Sequence, residues 1–420
     1  MVINAFKAAA DKMSRIFLSI VCYAINLGLT AAKLPEANMT TTEIIAYLGY
    51  PFEIHHVTTD DGYILELHRI PQGRNETEDT KKSDKPVVFL QHGFIGSSAV
   101  WVTNGADKSA GCMFADAGFD VWMGNARGNT YSRQHERYSV ETRRFWSFTW
   151  DEISNFDLPA MIDYTLNVTS APNLYYVGYS EGTLIMFAKL STDPTFATKI
   201  RKFFALGPIG KIAHIRGLIK TAAMKFMRPL KIMVRVIPEF MPNDSLFKSM
   251  SKATCSIQPM MEHCENLMFQ MTGPDTSQLD EARIPIYMTH LPAGTSTANL
   301  LHWAQMVKSK QLQMYDYGSR EANIDNYGQP IPPPYNLSRV NAPVYLYWSA
   351  QDWLADKRDV EESLIAVIPK EFIIENNELV HFNHFDFIWG MNAPEKIYRP
   401  IIKIIEEDHD GIRLELIVGD

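Results

Sequence analysis

Ser180 stands in Gly178-Tyr179-Ser180-Glu181-Gly182, after the apolar run Leu174 to Val177 and before Thr183 to Leu190, whose apolar positions share one helical face. A strand, a glycine-flanked serine and a helix in that order describe a sharp turn that lifts a hydroxyl above a sheet. Gly178 and Gly182 suit such a turn because backbone meets backbone there and leaves no room for a Cβ. A serine hydroxyl is a weak nucleophile at its own pKa, so it needs a base within hydrogen-bond reach and a carboxylate to orient that base. The pentapeptide alone also fits an ordinary turn, and its partners must decide. Downstream, in the order serine, acid, histidine that accompanies this elbow, come Asp352, just past the run Val344 to Trp348, and His384, in Asn383-His384-Phe385-Asp386. Each has a rival. Asp356 reads as a helix-start or surface carboxylate and His381 as a loop histidine, and spacing leaves both choices open.

Attack on a carbonyl creates an oxyanion, which two backbone N–H groups must meet. Glu181, the residue after the serine, is the candidate for one. Phe94, in Gln91-His92-Gly93-Phe94 after the run Val87 to Leu90, is the candidate for the other, with Gly93 permitting the turn. His92 in that loop invites a catalytic reading, but a histidine that bonds the loop backbone is the better one. Together these residues point to covalent acyl transfer from an ester-like carbonyl. No clustered set of His, Cys and carboxylate ligands accompanies them, so neither a metal nor an organic cofactor is expected.

The elements that must position these groups follow a βα rhythm. His55 to Thr59 and Tyr63 to His68 flank Asp60-Asp61-Gly62 and read as a hairpin. Buried strands are expected at Val87 to Leu90, Asp120 to Met123, Leu174 to Val177, Phe203 to Leu206, Val344 to Trp348 and Phe372 to Ile374. From about residue 210 to 336 the rhythm stops and Met, Pro and charged residues take over, which marks an inserted unit. It carries 12 of the chain's 20 Met residues, adaptable apolar surface suited either to pliable ligands or to core filling. Its opening, Lys211 to Ile237, has seven Lys or Arg and no acid among its apolar residues. Such a segment is able to rest on an anionic lipid surface, and a solvated helix face explains it equally well.

The 420 residues carry a net charge of −8, which gives no basic field of the kind that holds nucleic acid. Lys7, Lys12 and Arg15 precede an apolar run from Ile16 to Leu29 and the small residues Thr30, Ala31 and Ala32, the layout of a secretory signal peptide over residues 1–32. The alternative is an uncleaved anchor, and Met13 competes with Met1 as the start. Sequons at Asn38, Asn75, Asn167, Asn243 and Asn336 fit passage through the secretory pathway. With Cys22 in the leader, Cys112, Cys255 and Cys264 remain, and an oxidising compartment favours one disulfide and one buried thiol. A bridge between Cys255 and Cys264 would contribute roughly 2.7 kcal/mol. Three inert thiols are the alternative.

Beyond these readings, the sequence resembles the acid lipase family, the group of gastric and lysosomal lipases, from about Pro35 to Glu406. The resemblance is carried by LQHGF at Leu90 to Phe94, DVWMGNARGNTYSR at Asp120 to Arg133 and FWSFTWDEISNFDLPAMIDY at Phe145 to Tyr164. It continues in LPAGTSTANLLHWAQ at Leu291 to Gln305, QDWLAD at Gln351 to Asp356 and NHFDFIWG at Asn383 to Gly390. It implies an α/β-hydrolase core, a mostly parallel sheet with helices on both faces, at residues 33–209 and 337–420, with a mostly helical cap and lid inserted at 210–336. It assigns the catalytic roles to Ser180, Asp352 and His384 and the oxyanion roles to Phe94 and Glu181, and it implies that Cys255 and Cys264 are paired. Triacylglycerols and sterol esters are the implied substrates, met at a lipid–water interface, in a secreted or lysosomal protein with acid-tolerant activity.

One departure stands out. The usual elbow of these lipases is GHSQG, whereas Tyr179 and Glu181 occupy the two variable places here. An ionised carboxylate beside an oxyanion opposes it. Glu181 is therefore expected either to be protonated or to be turned away and paired. Two competing readings remain: an esterase of short soluble esters on the same core, and a lipid-binding protein with a dead site.

Overall fold

The computed structural model describes residues 34–76, 85–242, 254–255 and 258–418. The expected signal peptide, Cys22 and the sequon at Asn243 lie outside the described residues.

The main sheet has nine strands among the described residues: β1 (Glu53–Thr58), β2 (Tyr63–Ile70), β3 (Val87–Gln91), β4 (Asp120–Met123), β5 (Gln134–His135), β6 (Leu174–Tyr179), β7 (Ile200–Leu206), β10 (Val344–Trp348) and β11 (Ile373–Glu378). Their order is β1-β2-β4-β3-β6-β7-β10-β11, with β5 beside β2. From β4 to β11 every pairing is parallel. The hairpin β1–β2 and the β2–β4 pairing are antiparallel, as the Asp60-Asp61-Gly62 turn predicted for the first.

Side chains alternate across each strand, and this alternation builds two cores. Phe89, Trp122, Tyr176, Phe203 and Leu346 pack on one face with α3 (Leu158–Thr169) and α4 (Glu181–Thr192). Val88, Leu90, Val121, Val177 and Tyr347 pack on the other with α2 (Ala110–Asp116) and α11 (Arg399–Val418), while α1 (Thr41–Tyr47) leans on the same side through Ile44 and Ile45. Burial on both faces explains why β3, β4 and β6 read as continuous apolar runs.

The last strand departs from expectation. Rather than Phe372 to Ile374, it runs from Ile373 through Asn376 and Asn377 to Glu378. It is an edge strand with one face in water, so its residues alternate between half-buried and exposed and apolar content does not mark its end.

Between β7 and β10 the chain leaves the main sheet. There lie α5 (Gly217–Val236), α6 (Gln258–Thr272), α7 (Ile284–His290), α8 (Thr297–Ser309) and α9 (Arg320–Tyr327), with a two-stranded ribbon of β8 (Glu239–Phe240) and β9 (Thr295–Ser296). Cys255 and Cys264 form a disulfide at the start of α6, and Cys112 is a buried thiol in α2. A short helix, α10 (Asp386–Trp389), follows β11.

Candidate active site

The turn between β6 and α4 is as tight as its glycines suggest. A Cβ on Gly178 would lie 2.8 Å from the Gly182 carbonyl oxygen, and one on Gly182 would lie 2.4 Å from that of Gln91. Ser180 between them takes φ 54° and ψ −116°, outside the regions a side chain prefers. Such a residue costs about 1–3 kcal/mol and persists because its surroundings hold it. Its N–H donates to the Leu206 carbonyl at 3.0 Å, and its own carbonyl accepts from the Thr183 hydroxyl at 2.7 Å.

Three distant stretches meet at this turn. The Ser180 hydroxyl lies 2.8 Å from Nε2 of His384, whose Nδ1 lies 2.7 Å from Oδ2 of Asp352. Since the carboxylate can only accept, Nδ1 carries the proton and Nε2 is left to accept from the serine. The second oxygen of Asp352 accepts from the N–H groups of Leu354 at 2.8 Å and Ala355 at 2.9 Å, which fixes the plane of the carboxylate. Asp352 and His384 are buried, and Gly207, at φ +53°, brings backbone so close that a Cβ would lie 3.1 Å from the imidazole.

The rivals sit elsewhere. Asp356 starts the helical turn Lys357–Val360, accepting from the Arg358 N–H at 3.0 Å, and pairs with Arg216 at 2.8 Å. His381 is an exposed loop residue 3.3 Å from the Gln351 amide. His92 is buried and bonded on both nitrogens: Nδ1 donates to the Gly93 carbonyl at 2.8 Å, and Nε2 accepts from the Ala126 N–H at 3.1 Å. Burial drives its pKa down to about 4, against the Gly93 bond, so it is a neutral brace of the loop. That loop meets the elbow closely, with a Cβ on Gly93 only 2.8 Å from the Ser180 Cβ. Glu181 opens α4, where the first N–H groups have no intrahelical acceptor.

Both departures in the elbow have partners. Tyr179 donates its hydroxyl to the His384 carbonyl at 3.0 Å, with its ring 5.1 Å from the imidazole. Glu181 is buried. Its Oε2 accepts from the Trp303 indole at 2.6 Å and the Asn299 amide at 3.1 Å, both on α8. Burial pushes this carboxyl up to about 7, while the two hydrogen bonds favour the charged form. Sequence reasoning missed Asn299 and Trp303, although their spacing of four puts them on one face of a helix.

Residues between β7 and β10 also pin the loops that carry Asp352 and His384. Arg216 donates to the carbonyls of Ala350 at 3.0 Å and Asp352 at 3.2 Å, and the Thr272 carbonyl accepts from the Trp353 and His384 N–H groups at 3.0 and 3.3 Å. Asp386 accepts from the Asn383 N–H and the Thr276 hydroxyl, both at 2.6 Å. Apart from the local Asn383–Asp386 bond, these contacts join residues far apart in the chain, and no local pattern announces them. Among the described residues, no group of three His, Cys, Asp or Glu could hold a metal ion.

A hydroxyl, an imidazole and a carboxylate in series at the end of a parallel sheet have the geometry for nucleophilic attack on a carbonyl. The sheet, the elbow and the crossing helices define an α/β-hydrolase fold, and the family model described as the alpha/beta hydrolase fold matches residues 86–391. A second model, a partial alpha/beta-hydrolase lipase region, matches residues 41–105. A solved candidate lipase of Sulfolobus solfataricus superposes with a TM-score of 0.56 at 12% identity, covering 85% of this chain and 94% of that one, and shares the fold. Lipase lipl-1 of Caenorhabditis elegans is 48% identical over 89% of this chain and 93% of its own. The human lysosomal acid lipase/cholesteryl ester hydrolase is 42% identical and the bovine gastric triacylglycerol lipase 41%, each over 90% of this chain and 94% of its own. The chain belongs to the acid lipase family.

Proposed function

We propose that this protein hydrolyses carboxylic esters of lipids, triacylglycerols or sterol esters, through an acyl-enzyme on Ser180. The observation that carries the reading is the unbroken chain from the Ser180 hydroxyl through His384 to the buried Asp352. His384 Nε2 takes the hydroxyl proton as Oγ attacks the ester carbonyl, and the Phe94 and Glu181 N–H groups hold the oxyanion. The imidazolium returns its proton to the departing alcohol as the C–O bond breaks. Water, deprotonated by the same nitrogen, then releases the acid and restores Ser180. Asp352 keeps the imidazole in the tautomer this requires.

The substrate class rests on two supports. Relatives at 41–48% identity are named as lipases, two of them for triacylglycerol or cholesteryl ester. Phe94, Phe240 and Trp303 form an aromatic wall beside the elbow, with the Phe94 ring 6.4 Å from Phe240 and 5.8 Å from Trp303, a surface suited to an acyl chain. We read residues 33–209 and 337–420 as the core and 210–336 as the cap and lid. On α5, Leu218, Met224, Phe226, Ile232 and Val236 are exposed among Lys220, Lys225, Arg228, Lys231 and Arg235, which fits contact with a lipid surface. No helix among the described residues is long and apolar enough to cross a membrane. The charged-then-apolar start of the chain, the exposed sequons at Asn38, Asn75, Asn167 and Asn336, and gastric and lysosomal relatives support a secretory route to the outside or to lysosomes.

Initial rates on emulsified triolein, cholesteryl oleate and a short soluble ester separate lipase from esterase: the lipase reading expects the emulsions to be turned over with the higher kcat/KM. A preference for the short ester alone would move the assignment to a carboxylesterase. The choice between the two aspartates is checked in the same assay. Asp352→Asn leaves the imidazole in the wrong tautomer and is expected to lower kcat by about 10⁴-fold. Asp356→Asn weakens a helix start and an ion pair, costing about 1 kcal/mol of stability with kcat within about tenfold of the parent. The opposite ranking would exchange their roles.

A further inference from the structure

The side chain of Glu181 has no place in the serine–histidine–aspartate chain, yet it is buried at the first residue after the nucleophile. Trp303 and Asn299 both donate to its Oε2. Asn299 is fixed in turn, because its Oδ1 accepts from the Trp150 N–H at 2.9 Å and its amide nitrogen must then face Glu181. The Trp303 ring continues to Phe94 at 5.8 Å. One carboxyl thus joins the start of α4, the helix α8, the Trp150 turn and the Phe94 loop.

Building on the hydrolase reading, we propose that Glu181 is a positioning residue that ties the elbow to α8 as a neutral acid, and that its ionisation suppresses turnover. Two donors converging on one oxygen are satisfied by the carbonyl oxygen of a protonated acid as well as by a carboxylate. Among the described residues no Lys, Arg or His pairs with it, so an ionised form would be an uncompensated buried charge. That charge would lie on the residue whose own N–H meets the oxyanion, where like charges repel across a dry site.

The titratable groups on the packed elements are bonded elsewhere, His92 of the Phe94 loop to Gly93 and Ala126. His302 on α8 stacks on Trp150 at 4.4 Å, with Nδ1 3.9 Å from Asp151. Asp151 accepts from the Tyr335 hydroxyl and the Tyr315 N–H, Glu152 from the Thr149 N–H, and the Asp352–His384 pair approaches Ser180. Burial places the Glu181 carboxyl at about 7, with the Trp303 and Asn299 bonds opposing, so the neutral form prevails below that pH and kcat falls as pH rises through it.

The test is the pH profile of kcat and KM for the full chain on a soluble p-nitrophenyl ester. Between about pH 6 and pH 8 the parent is expected to lose about tenfold or more in kcat. Glu181→Gln keeps an acceptor oxygen but has no charge to gain, so its alkaline limb is expected to vanish, the change falling in kcat rather than KM. Trp303→Phe removes a donor that favours the charged form and is expected to move the limb to higher pH, an independent check should the first variant fold poorly. Asp151→Asn is expected to keep the parent's limb. The inference is overturned if Glu181→Gln retains that limb, or if Asp151→Asn shifts it as far. Absence of turnover in the parent at every pH would instead remove the hydrolase reading beneath it.

Discussion

Ser180→Ala is expected to lower kcat for ester hydrolysis by about 10⁵- to 10⁶-fold while leaving the protein folded. On the proposed mechanism the attacking oxygen is lost, and the Phe94 and Glu181 N–H groups can then assist only attack by water. His384→Ala is expected to cost about as much, since the serine proton then has no acceptor. The double variant is expected to lose little more, because the two residues act as one unit and their effects do not add. Turnover measurements with mass analysis of a serine-directed phosphonate adduct check this. The parent is expected to carry one adduct at Ser180 and the alanine variant none. Residual turnover within about tenfold of the parent would show that another group attacks, and a parent that takes no adduct would favour a lipid-binding protein with a dead site.

The second large effect concerns stability. Arg127 is wholly buried in the run after β4. Its Nε meets Asp157 at 2.6 Å, its two terminal nitrogens meet Asp61 at 2.6 and 2.8 Å, and its guanidinium lies 3.9 Å from the centre of the Tyr63 ring. The preceding residue, Ala126, braces His92 in the Phe94 loop. Arg127→Met is expected to destabilise the protein by about 3–5 kcal/mol, because it leaves the buried Asp157 carboxylate without a counter-charge. Burial already raises the Asp157 carboxyl to about 6 against the pull of Arg127, and without the guanidinium it would hold its proton more tightly still in the folded protein. The folded state binds the extra proton above the ordinary carboxylate range, so stability falls as pH rises and the penalty is smaller in acid. Urea unfolding at acid and neutral pH checks the sign. Adding Asp157→Asn should restore part of the loss, and a penalty that is unchanged by pH or by the second substitution would show that packing rather than charge is at stake.

Much of the candidate site is legible in the sequence. Ser180 was marked by its glycines and by the strand before it, both local features. For Asp352 over Asp356 and His384 over His381, spacing is silent and family resemblance makes the choice. In the fold the reason is visible: Asp356 is engaged at a helix start and by Arg216, while His381 points from an exposed loop. The double alternative for Glu181, neutral or paired, resolves into burial with two uncharged donors. The buried strands are readable because both faces of the sheet are covered, whereas β11 runs past its apolar residues because one of its faces is not.

By itself the chain determined the elbow, the order of Ser180, Asp352 and His384, and the alternation of strand and helix, since these depend on residue type and near neighbours. The tertiary structure alone decided how Arg216 and Thr272 hold the Asp352 and His384 loops, how Tyr179 reaches the His384 carbonyl, and how Asn299 and Trp303 close over Glu181. Each of these contacts joins residues dozens to hundreds of positions apart. Their partners are chosen by chain topology and by the need to satisfy buried polar groups, and neither leaves a mark on local sequence.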